Sequence, residues 1–162
     1  MLGFAGAFRR SELVSLDVED LSWSERGLAI RLRKSKTDQE GASRIVAVPW
    51  AGDMPCAAQS VREWLAASGI GKGALFRSID RQGRIGRRLH PQSVNLIVKE
   101  LAQQEGLQVE LMSGHSLRAG FVTAAVEVGA SLVSIQRQTG HASLDTLAKY
   151  VRGVDPFSGE CP

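Results

Sequence analysis

"TGHASLDTLAKY", residues 139–150, contains the only tyrosine of the chain, Tyr150, placed nine residues after His141. Two helix boundaries meet in this stretch. Ser131 is set to cap a helix over "LVSIQRQT", 132–139, and Gly140 to close it. Ser143 is set to cap a second helix, "LDTLAKYVR", 144–152. A short polar helix therefore carries the single tyrosine just beyond a Gly-His turn. Tyrosine is usually a packing residue with a polar handle. Its use here raises the question of whether the hydroxyl does chemistry.

Upstream, the apolar spacing predicts more helices and one small sheet. "MSGHSLRAGFVTAAVEV", 112–128, starts a helix near His115 that Gly129 ends. Pro91 opens another over "QSVNLIVKELAQQE", 92–105, ending near Gly106. Pro55 precedes a helix through "AAQSVREWLAAS", 57–68, stopped by Gly69. "GLAIRLR", 27–33, alternates as a strand, and "RIVAVPW", 44–50, is its hairpin partner across the turn-rich "SKTDQEGAS". "GALFRSI", 73–79, reads as a short strand or extended segment, and "RQGRIGRR", 81–88, as a basic loop broken by glycine. "RRSELVSLDVEDL", 9–21, is helical at first, with Leu13 and Leu16 in register, and turns near Asp20. The expected fold class is mainly α with a small antiparallel sheet, an α+β domain.

The first residues, "MLGFAGAFRRSELVSL", read as the interior of an amphipathic helical region without a starting cap. They suggest a fragment whose Leu2, Phe4 and Phe8 form an apolar patch open to self-association. Residues 1–152 are expected to form one domain, followed by an aperiodic tail over 153–162. Net charge is +3, with a pI near 9.2, and most basic residues are arginines, which suit bidentate phosphate contacts. Two cysteines, Cys56 and Cys161, do not make a disulfide framework. No apolar run is long enough to span a bilayer. The expected setting is cytoplasmic and DNA-associated.

Several residues are candidates for chemistry. His115 and Arg118 are three apart, so they share a helix face in a first turn whose free N–H groups favour an anion. Arg9 lies in an apolar segment, paired either with Glu12 at i+3 or with a ligand phosphate. Arg10 is read as solvent-facing. Lysines in the hairpin connection either guard an edge or deliver a proton. His141 is either a polar turn residue or part of a site, and Tyr150 either packs its ring or reacts.

Their order settles what no single element does. "FRRSELVSLDVEDL" with Arg9, "SKTDQEG" with Lys36, "GHSLRAGF" with His115 and Arg118, and "TGHASLDTLAKY" with His141 and Tyr150 resemble the catalytic domain of the tyrosine recombinases, the phage-integrase family. The resemblance covers nearly the whole chain, with Lys34 as the alternative to Lys36. It implies site-specific DNA recombination or integration through a covalent 3′-phosphotyrosine, formed by Tyr150. Arg9 and Arg118 would neutralise the reacting phosphate, His115 and His141 would bond its oxygens, and Lys36 would protonate the leaving 5′-oxygen. It also implies double-stranded DNA as partner and a homo-oligomer on DNA, a synaptic tetramer. No cofactor is expected, because the chain offers no carboxylate cluster for Mg²⁺ and no Cys/His spacing for Zn²⁺. The N-terminal DNA-clamping domain usual in the family does not figure in this sequence. Three other readings stand beside it: relaxation of DNA by a type IB topoisomerase-like enzyme, a DNA-binding module without independent catalysis, and a helix-turn-helix regulator over "AAVEVGASLVSIQRQTGHAS".

Overall fold

The computed structural model describes residues 1–33, 43–52, 55–141, 143–145 and 147. Among these, helices dominate: α1 (Leu2–Ala5), α2 (Arg10–Ser15), then, beyond a three-stranded antiparallel sheet, α3 (Ala57–Ser68), α4 (Pro91–Gln104), α5 (Ser116–Glu127) and α6 (Leu132–Thr139). The sheet is β1 (Leu21–Ser24), β2 (Gly27–Leu32) and β3 (Arg44–Pro49), in that spatial order. A separate two-stranded ribbon is formed by β4 (Arg77–Ile79) and β5 (Ile85–Arg88). The α+β class expected from the sequence is the class observed.

Alternation in β2 and β3 explains which sheet face is covered. Leu28, Ile30 and Leu32 of β2 and Val46 and Val48 of β3 are buried, with Ile30 opposite Val46 and Leu28 opposite Val48. A one-residue slip would expose the whole set. That face packs with Leu2, Phe8, Leu16, Ala57, Ala58, Val61 and Leu75 into the main core. A second, smaller cluster joins Val122 of α5, Ile135 of α6 and Leu147.

Three expectations need correction. The opening sixteen residues are not one helical run. The chain breaks between α1 and α2, where Ala7 takes a positive φ of 50°. The ring of Phe8 occupies the space a Cβ would fill at Gly6. This fold-back drives Phe8 into the core. Leu2 and Phe8 are consequently buried and not parts of a surface patch, whereas Phe4 stays exposed as expected and lies edge-on to Phe121.

The sheet also gains a strand that the sequence did not announce. β1 pairs with β2 through a turn at Glu25–Arg26. Its burial pattern lacks alternation, so periodicity had nothing to detect. Finally, the segment read as a basic loop contains β5. Asp80 makes the turn by accepting the N–H groups of Gln82 and Arg84, each at 2.9 Å. Gly83 supplies the positive φ that follows, so the glycine marks a hairpin turn and not an irregular loop.

The remaining boundaries follow their caps. Ser131 Oγ accepts the Ser134 N–H, and Gly140 closes α6 in the left-handed conformation at φ 66°. His90 Nδ1 accepts the Gln92 N–H ahead of Pro91. Residues 144, 145 and 147 are helical after Ser143, whose Oγ accepts the Asp145 N–H. No helix among the described residues is long and apolar enough to cross a membrane.

Candidate active site

The break before α2 places Arg9. It stands at the N-cap with extended backbone, and Glu12, one turn on, holds it twice. The Glu12 carboxylate accepts the Arg9 backbone N–H at 2.8 Å and the Arg9 guanidinium at 2.8 Å. The pairing foreseen between Arg9 and Glu12 therefore exists. It orients the guanidinium without burying it, since the Arg9 side chain stays about half exposed. Arg10 is exposed as expected and reaches Gln92.

Arg118 is placed differently. It is 1% exposed, among the largest fully buried side chains. Burying a guanidinium is costly unless its hydrogens are bonded. Its Nη1 donates to the Ala7 carbonyl at 2.9 Å and to the Thr139 carbonyl at 2.6 Å. One side chain thus ties the α1–α2 break to the last residue of α6. Gln138 adds a parallel tie, donating to Ala5 and Ala47. The segment carrying Arg9, the sheet and α6 are locked into one arrangement.

His115 is the N-cap of α5, three residues before Arg118. Together with Arg9, Arg10, Ser11, Ser113 and Gly114 it lines an open cleft of about 430 Å³, room for a phosphodiester group. Asn95 Oδ1 accepts the Gly114 N–H at 2.9 Å and fixes that wall.

His141 follows Gly140, and its Nδ1 lies 2.7 Å from Thr139 Oγ1. The Thr139 hydroxyl donates to the Ile135 carbonyl at 2.7 Å, which leaves its oxygen to accept from an Nδ1–H imidazole. The His141 pKa is lowered to about 4, first by burial and then by the positive charge of Arg118, Arg9 and Arg44 and by His115. The imidazole is neutral at neutral pH.

That electrostatic neighbourhood shows which expected residues meet. Arg9, His115, Arg118 and His141, from three separated segments, share one locality. Lys36, its alternative Lys34, and Tyr150 lie outside the described residues. The last described residue before Tyr150 is Leu147, fully buried against Val122 and Ile135. The sequence reading missed Arg44. It begins β3, its guanidinium lies 3.4 Å from Glu12, and it packs against Gly140. Only a fold that brings β3 beside α6 reveals it, because no motif in the chain links residue 44 to residue 140.

The profile of the Phage integrase family matches residues 1–155. This chain belongs to the phage integrase family. A similar member, an integrase/recombinase XerD homologue of Selenomonas ruminantium, is 41% identical over 158 residues, covering 96% of this chain and 46% of that protein. The chain thus spans about half the length of the curated relatives it matches. The XerA recombinase crystal structure superposes with a TM-score of 0.72 at 21% identity, over 97% of this chain and 50% of that one. The XerH recombinase bound to its difH substrate in a pre-cleavage complex superposes at 0.68 and 24% identity, over 93% of this chain and 40% of that one. The fold is that of these recombinases' matching regions.

Proposed function

We propose that this integrase-family chain is the catalytic region of a site-specific tyrosine recombinase that breaks and rejoins double-stranded DNA. The single observation that carries the reading is that Arg9 and His115 line an open, phosphate-sized cleft and, together with Arg118, act electrostatically on the His141 ring. The family membership, and relatives named as recombinases, support it.

The chemistry is a transesterification. The Tyr150 hydroxyl oxygen attacks phosphorus, the bond from phosphorus to the 5′-oxygen breaks, and a 3′-phosphotyrosine forms. Lys36 gives the departing 5′-oxygen its proton. A 5′-hydroxyl attacking the phosphotyrosine reverses these steps and reseals a strand, so the bond energy is conserved. Between the two states, negative charge grows on the non-bridging oxygens. Arg9 and Arg118 are preset to meet it, one by Glu12 and the other by two backbone carbonyls.

The histidines divide the remaining work. His115, on the cleft wall, accepts the tyrosine proton or bonds a phosphate oxygen. Burial and the nearby cations hold His141 neutral. A bound phosphate offsets those cations and favours the imidazolium. His141 then donates to the developing charge. Several copies acting together on DNA complete the reading, as exchange of strands between two duplexes requires more than one nucleophile.

Covalent trapping tests this directly. The chain is incubated with nicked duplexes randomised around the nick, so that the departing fragment is lost and religation is blocked. A denaturation-resistant protein–DNA adduct, with recovered sequences enriched for one motif, supports the reading. Binding without any adduct would reduce the chain to a DNA-binding module.

A further inference from the structure

Among the described residues, Arg44 is a strongly placed cation of this locality to which the mechanism gives no task. Its side chain is about four-fifths buried. On one side its Nη2 approaches Glu12 Oε2, the carboxylate oxygen that also accepts the Arg9 N–H. On the other, the guanidinium fills the notch left by the missing side chain of Gly140. A Cβ at Gly140 would overlap Arg44 Nη1 and press on Cζ and Cδ. Gly140 adjoins both Thr139, whose carbonyl Arg118 holds, and His141. Arg44 thus spans the two walls of the candidate site from a rigid strand.

We propose that Arg44 is a further positioning residue of this site, clamping the Glu12–Arg9 pair on one side and the Gly140–His141 turn on the other so that Arg9 and His141 are held to one phosphate. The inference rests on the recombinase reading for its phosphate, and on geometry alone for the clamp. Lysine cannot replace the clamp. A guanidinium presents several donors in a flat fork that touches two partners at once, whereas an ammonium is a point charge on a flexible stem. Among the described residues, the charged and titratable groups acting on His141 are Arg118 of α5 and His115 at its N-cap, Arg9 from the α1–α2 break, and Arg44 from β3. Glu12 faces this group through Arg9 and Arg44.

The test has two arms that fail separately. In the first, the imidazole of His141 is titrated by NMR in the wild type and in Arg44→Gln and Arg44→Lys, each checked by thermal unfolding. Arg44→Gln is expected to move the His141 midpoint upward. Arg44→Lys keeps the charge and leaves the midpoint near that of the wild type. The second arm follows adduct formation on the nicked duplexes. Both Arg44 variants should slow it about 10–100-fold, the range for partners that orient a working residue, with DNA affinity changed far less. If Arg44→Gln does not fold, Arg44→Lys alone decides the second arm. An unmoved His141 midpoint in folded Arg44→Gln, or a wild-type rate in Arg44→Lys, overturns the proposal. A wild type that forms no adduct sinks the recombinase reading, and the titration then judges Arg44 by itself.

Discussion

The Thr139 carbonyl accepts a 2.6 Å hydrogen bond from Arg118, and the Thr139 hydroxyl lies 2.7 Å from the His141 ring. Thr139 is fully buried. The arginine and the second histidine therefore share one residue as their common support. In the proposed phosphate site, a support built this way needs no reorganisation when charge develops.

Removing Arg118 should harm both fold and chemistry. Arg118→Ala strands two buried carbonyls and leaves a cavity, at a cost of about 3 kcal/mol of stability. Adduct formation should fall roughly 10²-fold or more, as when one preorganised donor is lost. Glu100→Ala, at an exposed position of α4, should be near neutral in both. Urea unfolding and adduct kinetics on the same preparations check it.

Gly140 and Arg44 should be energetically coupled. Gly140→Ala costs about 1–2 kcal/mol from its left-handed backbone, and more from overlap with Arg44. In an Arg44→Ala background the overlap disappears and only the backbone cost stays. A double-mutant cycle by denaturant unfolding should return a coupling of at least about 0.5 kcal/mol. A zero coupling would contradict the packing of these two residues.

The pH dependence has a fixed sign. His141 titrates near 4 in the folded chain against an ordinary 6.5. Between those values the unfolded chain holds the proton and the folded chain does not, so stability falls as pH drops from about 6.5 toward 4. His141→Asn removes this titration. The wild type should lose stability more steeply across that window than the variant, measured as urea midpoints, with carboxylates common to both.

Much of this was legible before any coordinates. Ser131, Gly140 and Pro91 mark helix ends through local backbone chemistry, and they fall where expected. The β2–β3 pair follows from alternation, and the ordered blocks placed Arg9, His115, Arg118 and His141 in one family. What stayed hidden depends on distance in the chain or on a strand without a pattern. β1 has no alternating face to read. Phe8 is buried by a fold-back that Gly6 permits. Arg44 belongs to the site only because β3 lies beside α6.

The leaving-group role separates Lys36 from Lys34. A 5′-phosphorothiolate at the cut needs no protonated leaving group. It should restore cleavage to Lys36→Ala and leave Arg118→Ala impaired, because the task proposed for the arginine is on the non-bridging oxygens. Rescue of Lys34→Ala in place of Lys36→Ala would move the general acid by two residues.

The central claim is that Tyr150 is the nucleophile. Trapped wild-type adduct, digested with protease and nuclease and mapped by mass spectrometry, should carry its nucleotide remnant on Tyr150. Tyr150→Phe removes one oxygen and should yield no adduct while unfolding and DNA binding stay near wild type. An adduct of unchanged yield in Tyr150→Phe, or a remnant on a serine or other side chain, would contradict the account.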